Sequence, residues 1–173
     1  MNRTYKLYLD MDGCLVDFYN GFEKYTNGLS LPDYIKLHGY ENSKEVFFKG
    51  GVKFWENLDW ISGGKELLDT ATTLFNDVNI LSSAATTDEP KAMVVEQGKR
   101  NWISNNMPTF NLNKVFIVRG RKFKKEYASP NSILVDDLSS TVNEWNENGV
   151  IGILHNSNDY EKTLKALFKI VNT

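Results

Sequence analysis

Two pairs of aspartates and one basic stretch carry the chemistry legible in this chain of 173 residues. Asp10 and Asp12 flank Met11 and are followed by Gly13. Side chains alternate along an extended strand, so carboxylates two apart project to the same side. Like charges that close raise each other's pKa, a cost relieved by a divalent cation or a hydrogen-bonding loop. Gly13 lets the backbone turn sharply there. A second acidic pair, Asp136-Asp137, follows the apolar run Ile133-Leu134-Val135, and the hydroxyls of Ser82 and Ser83 follow Val78–Leu81. Between those runs lies Arg119-Gly120-Arg121-Lys122-Phe123-Lys124-Lys125. Singly, each has an ordinary use as a strand end, a helix cap or a solvated turn. Jointly they supply carboxylates, a hydroxyl and an ammonium, the inventory of Mg²⁺-assisted phosphoryl transfer.

The elements that must position these groups alternate in type. The pattern predicts strands at Tyr5–Asp10, Val78–Ser82, Lys114–Val118, Ser132–Asp136 and Val150–Leu154. Helices are expected at Gly64–Phe75, Glu89–Asn105, Ser139–Asn148 and Asp159–Val171. In the last, Leu164, Leu167, Phe168 and Val171 form the stripe of a helix docked on a sheet. Strands alternating with helices imply βαβ units and a parallel sheet, an α/β fold of Rossmann-like three-layer α/β/α type. Right-handed crossovers leave the carboxyl ends of all strands on one edge, where the acids, serines and basic loop fall. Roughly seventy residues separate the first two strands, far more than one crossover helix needs. Within them Leu29–Trp60 is dense in aromatics, among them Tyr40, Phe47, Phe48, Phe54 and Trp55. We read 19–60 as a small helical cap inserted into a core made of 1–18 and 61–173, with an aromatic core of its own and aromatic walls for a pocket.

Asp10-Met11-Asp12-Gly13-Cys14-Leu15, then Leu81-Ser82, a lysine, and Leu134-Val135-Asp136-Asp137 resemble, in order, the four motifs of the haloacid dehalogenase-like phosphohydrolases. The stretch Asp10–Phe18 is most similar to the 5′(3′)-deoxyribonucleotidases, and Phe54-Trp55-Glu56-Asn57-Leu58 before Gly63-Gly64 and Tyr127-Ala128-Ser129-Pro130 agree with it. Leu138 departs from the pattern, since many relatives carry arginine after the acidic pair. The resemblance implies that Asp10 is the nucleophile, forming an aspartyl-phosphate, and that Asp12 is the general acid and then base. It implies Mg²⁺ held by Asp10, the Asp12 carbonyl, Asp136 and Asp137, with Ser82 and one lysine on the phosphoryl oxygens. Spacing alone leaves Lys122, Lys124 and Lys125 open; the family's lysine precedes a Tyr-Ala pair by three residues, which selects Lys124. Phe18 matches an aromatic that lies against substrate in that family, and Phe48 and Trp55 are candidate base-stacking walls.

Composition narrows the partners. With 20 basic and 22 acidic side chains the net charge is −2, which gives no footprint for a stable nucleic-acid complex. Cys14 is the sole cysteine and allows no internal disulfide; with only His38 and His155 beside it, a four-ligand Cys/His zinc site is excluded. Apolar runs are far too short for a membrane helix, and acidic residues interrupt any signal-peptide core, so a cytoplasmic setting is expected. The expected substrate is a small phosphate ester, a nucleotide above all. The alternatives are another small ester or a nucleic-acid 3′-phosphate. A receiver-type phospho-acceptor domain shares the residue types, but it places its acidic pair first and its acceptor aspartate mid-chain, the reverse of the order here.

Overall fold

The computed structural model describes residues 5–172, so the chain ends 1–4 and 173 of the expected core segments lie outside it. Five strands form one parallel sheet: β1 (Lys6–Leu9), β2 (Asp77–Ser83), β3 (Val115–Val118), β4 (Ser132–Asp136) and β5 (Ile151–Leu154). Their spatial order is β3-β2-β1-β4-β5. The chain therefore winds outward from β1 to β3, then returns to β4 on the other side of β1. That reversal opens a crevice at the carboxyl ends of β1 and β4, where ligands bind in open α/β sheets.

The strands run apolar on both faces because both faces are covered. Leu7 and Leu9 of β1, Val78 and Ile80 of β2, and Ile133 and Val135 of β4 join the larger core. The alternate residues Tyr8, Leu81 and Leu134 join a second cluster with Val118 and Trp145. Helices α4 (Gly64–Leu74), α5 (Glu89–Asn106) and α7 (Tyr160–Val171) put Leu67, Trp102 and Leu167 into the first; α6 (Ser139–Glu147) puts Trp145 into the second. The result is the expected three-layer α/β/α fold. One detail differs. In α7 the buried face is Thr163 and Leu167 with Leu164 and Ile170 beside them, whereas Phe168 and Val171 face outward. The expected stripe thus turns by part of a helical step toward Thr163, whose hydroxyl lies 3.0 Å from His155 Nδ1 just past β5.

The insertion after β1 folds into α1 (Phe18–Tyr25), α2 (Leu31–His38) and α3 (Tyr40–Glu56). Asp17 caps α1 by accepting from the Asn20 amide, and Ser30 caps α2 by accepting from the Asp33 amide. Helix α3 breaks at Gly51, whose φ of 61° and ψ of −158° suit a residue without a Cβ. Its second half is clamped to α5: a Cβ on Gly98 would lie 2.5 Å from Trp55 Cβ and 2.8 Å from the Val52 carbonyl. Asn101 Nδ2 donates to Glu56 at 2.6 Å, and Trp102 Nε1 donates to the Leu58 carbonyl at 2.7 Å. Among the described residues no helix is long and apolar enough to cross a membrane.

Candidate active site

Asp10 directly follows β1 and is pinned beside β4, its amide donating to the Val135 carbonyl at 2.9 Å. The chain then turns tightly, with the Met11 carbonyl accepting from the amides of Leu15 and Val16 at 2.8 and 2.9 Å. Gly13 sits in this turn at φ +76°, and any Cβ there would overlap the Asp137 carboxylate. Asp12 stands just before this turn, in an isolated β-bridge with Val16. Both acids still line one cavity.

The basic stretch forms a 3₁₀ turn over Arg121–Tyr127 that carries Lys124 inward, leaving it 2% exposed. Its ammonium lies 2.9 Å from Asp10 Oδ1 and donates to Asp136 Oδ2 at 2.7 Å. Burial works against that charge, but Asp10 and Asp136 together outweigh it and raise the lysine's pKa. Lys122 and Lys125, on the same turn, are exposed. Asp136 is fully buried, and its second oxygen accepts from the Leu138 amide at 2.9 Å. Asp137 makes no ion pair among the described residues; burial, then the charges of Asp10, Asp136 and Asp12, push its pKa up to about 8. Carboxylate oxygens of Asp10, Asp136 and Asp137 lie within 4.8 Å of one another. Three hard oxygen donors this close together fit a divalent ion of the Mg²⁺ type.

Sequence reasoning missed Lys99. This α5 residue is wholly buried; it donates to Asp12 Oδ2 at 2.6 Å, to Ser82 Oγ at 2.9 Å and to the Ser83 carbonyl at 2.9 Å. A signal was present: Ala92, Val95, Lys99, Trp102 and Ile103 follow helical spacing, which puts a lysine on an apolar stripe. Desolvation raises the Asp12 pKa despite Lys99, and its Oδ1 is buried without a partner. Lys99 also reaches both residues of the serine pair. Ser82 is fully buried beneath the lysine and does not line the cavity, whereas Ser83 does. Alternation along β2 explains this, since neighbouring side chains leave a strand on opposite sides.

The cavity encloses about 910 Å³, near the top of the ~300–1,000 Å³ range of small-ligand sites. Its walls include Asp10, Asp12, Ser83, Lys124 and Asp137. Phe18 and Trp55 also face it, stacked on each other at 5.5 Å and 17°. The Trp55 ring carries the Lys99 ammonium 4.8 Å from its centroid. Phe48 is not part of the wall. Phe47 takes that place, and Phe48 lies behind it at 4.8 Å, under the Lys91 ammonium at 5.0 Å. One residue is about 100° of helix, enough to exchange the wall for the outside. Tyr19, absent from the sequence-based set, lines the cavity too; burial and then Asp137 push its hydroxyl to about 12.

Neither a protein-family model nor a curated protein matches the sequence. Solved structures do match in fold. A hydrolase of the same superfamily as the motifs suggest, from Ehrlichia chaffeensis, superposes with a TM-score of 0.59 at 14% identity, covering 99% of each chain. A hydrolase from Streptococcus pneumoniae TIGR4 gives 0.52 at 14% identity over 95% of this chain and 100% of that one. A haloacid dehalogenase-like hydrolase from Xanthomonas campestris gives 0.51 at 13% identity, over 98% and 94%. The chain has the fold of the haloacid dehalogenase-like hydrolases.

Proposed function

We propose that this protein is a cytoplasmic, Mg²⁺-dependent phosphomonoesterase acting on small nucleotides, most similar in action to the 5′(3′)-deoxyribonucleotidases, with 19–60 as its cap. The observation that carries this reading is the convergence of Asp10, Asp12, Ser83, Lys124 and Asp137 on one cavity at the carboxyl edge of the sheet. An Asp10 oxygen attacks phosphorus as the ester P–O bond breaks, giving an aspartyl-phosphate. Asp12 delivers its proton to the leaving alkoxide, and burial favours the protonated form this requires. Asp12 then takes a proton from water as that water attacks phosphorus, the Asp10–phosphorus bond breaks and inorganic phosphate leaves. Lys124 and Ser83 offset charge on the phosphoryl oxygens. Asp10, the Asp12 carbonyl, Asp136 and Asp137 would hold a divalent cation, which when bound would supply the charge neutralisation that lets an anionic ester approach a carboxylate. Lys99 fixes Asp12 relative to β2. Support for a nucleoside as leaving group comes from the apolar wall of Phe18, Phe47 and Trp55.

The test is turnover of an aryl phosphate, deoxynucleoside 5′- and 3′-monophosphates and sugar phosphates with Mg²⁺, beside the Asp10→Asn variant. Expected are Mg²⁺-dependent hydrolysis, preference for nucleotides and an inactive variant that remains folded. No hydrolysis of any ester, or full activity in the variant, overturns the reading.

A further inference from the structure

The basic stretch Arg119–Lys125 holds five cations, and the chemistry above employs one. Arg119 is committed elsewhere: its guanidinium donates twice to Glu89, at 2.8 Å each, and to Glu96 at 2.9 Å. Lys124 is committed to Asp10 and Asp136. Lys125 is exposed and lies outside the cavity wall. Arg121 and Lys122 remain; both line the cavity, both are exposed, and neither pairs with a carboxylate among the described residues. They begin the 3₁₀ turn whose fourth residue is Lys124. Where Lys124 is buried against the aspartates, these two are exposed and so stand nearer the cavity mouth.

Two adjacent unpaired cations on a concave wall repel each other, a cost that an anion removes. Packed against this 3₁₀ segment, α6 contributes Ser140, Thr141 and one carboxylate, Glu144, to the cavity wall. We propose that Arg121 and Lys122 form a second anion subsite, which takes a phosphate group of the substrate other than the one hydrolysed. This rests on the phosphomonoesterase reading and narrows its substrate class to small esters with two separate phosphates, such as a nucleoside 3′,5′-bisphosphate. The volume agrees, since the cavity extends beyond the aspartates to this basic wall.

The test measures binding and does not depend on turnover. The Asp10→Asn protein with Mg²⁺ is titrated calorimetrically with a deoxynucleoside 5′-monophosphate and the matching 3′,5′-bisphosphate. Ribose 5-phosphate and ribose 1,5-bisphosphate form a parallel pair that separates a nucleoside from a bare sugar. The same titrations on the unsubstituted chain in EDTA guard against a folding defect in the variant. In at least one pair the bisphosphate binds about tenfold tighter, the effect of roughly one charge-assisted contact. Arg121→Ala with Lys122→Ala brings that pair to within about twofold. Equal affinities in both pairs, or a preference that survives the double substitution, overturn the subsite. An enzyme that hydrolyses nothing but still prefers bisphosphates would sink the phosphatase reading and leave the subsite standing.

Discussion

Asp137 offers the sharpest thermodynamic test of the acidic centre. Without a cation its carboxyl titrates near 8 in the folded chain, against an ordinary value of 3.8. Below about pH 4 both folded and unfolded states hold the proton and no penalty exists. Between about 4 and 8 the unfolded chain has lost its proton while the folded chain keeps it, so stability falls as pH rises, and above 8 the loss is complete. At ~1.4 kcal/mol per pH unit the ceiling is ~6 kcal/mol; partial hydration of a half-buried group lowers the expected effect to ~2–3 kcal/mol. Asp137→Asn removes the charge. In EDTA the variant should therefore melt higher than the parent at pH 9 by ~5–10 °C, with the gap narrowing toward pH 5. Saturating Mg²⁺ should reverse the ranking, adding ~3 kcal/mol to the parent at a hundredfold excess over its Kd and little to the variant. Thermal melts at pH 5, 7 and 9, each with EDTA and with Mg²⁺, read both effects. A gap that does not change with pH, or equal Mg²⁺ stabilisation of both proteins, refutes the reasoning.

Lys99→Met strips Asp12 and Ser82 of their cation, and leaving a buried carboxylate unpaired costs ~3–5 kcal/mol at neutral pH. Urea unfolding should show that loss, while a loss below ~1 kcal/mol would demote the ion pair to a surface-like contact. Gly98→Ala drives a methyl into Trp55 and the Val52 carbonyl, so it should destabilise by ~1–3 kcal/mol and raise KM for nucleotides more than for an aryl phosphate. Unchanged melting together with unchanged KM would show that α3 is not held at this contact.

The sheet was legible because its strands are buried on both sides and read as unbroken apolar runs, such as Ile133-Leu134-Val135, bounded by acids or turns. The aspartates were legible for a related reason: a carboxylate that ends an apolar strand has no ordinary partner within reach. Lys99 was hidden because its partners Asp12 and Ser82 lie 87 and 17 positions earlier, and only the docking of α5 brings them together. Ser82 and Phe48 each lie one residue from a like side chain that meets the cavity, Ser83 and Phe47. A strand exchanges faces with every step and a helix moves by about 100°, so spacing alone does not say which of two like neighbours meets it. The order of the motifs carried no information about phase.

The break in α3 at Gly51 divides the insertion into two parts with separate duties. Its inner part, with Trp55, is fastened to α5, the helix that also carries Lys99 to Asp12. Its outer part presents Tyr40, Ser43, Lys44 and Phe47 to the cavity, and joins α5 through Lys91 and Glu45 at 2.6 Å on the surface. Substitutions beyond the joint should therefore reshape the outer wall of the cavity first, and be felt at the inner part only through the rings of Phe47, Phe54 and Trp55.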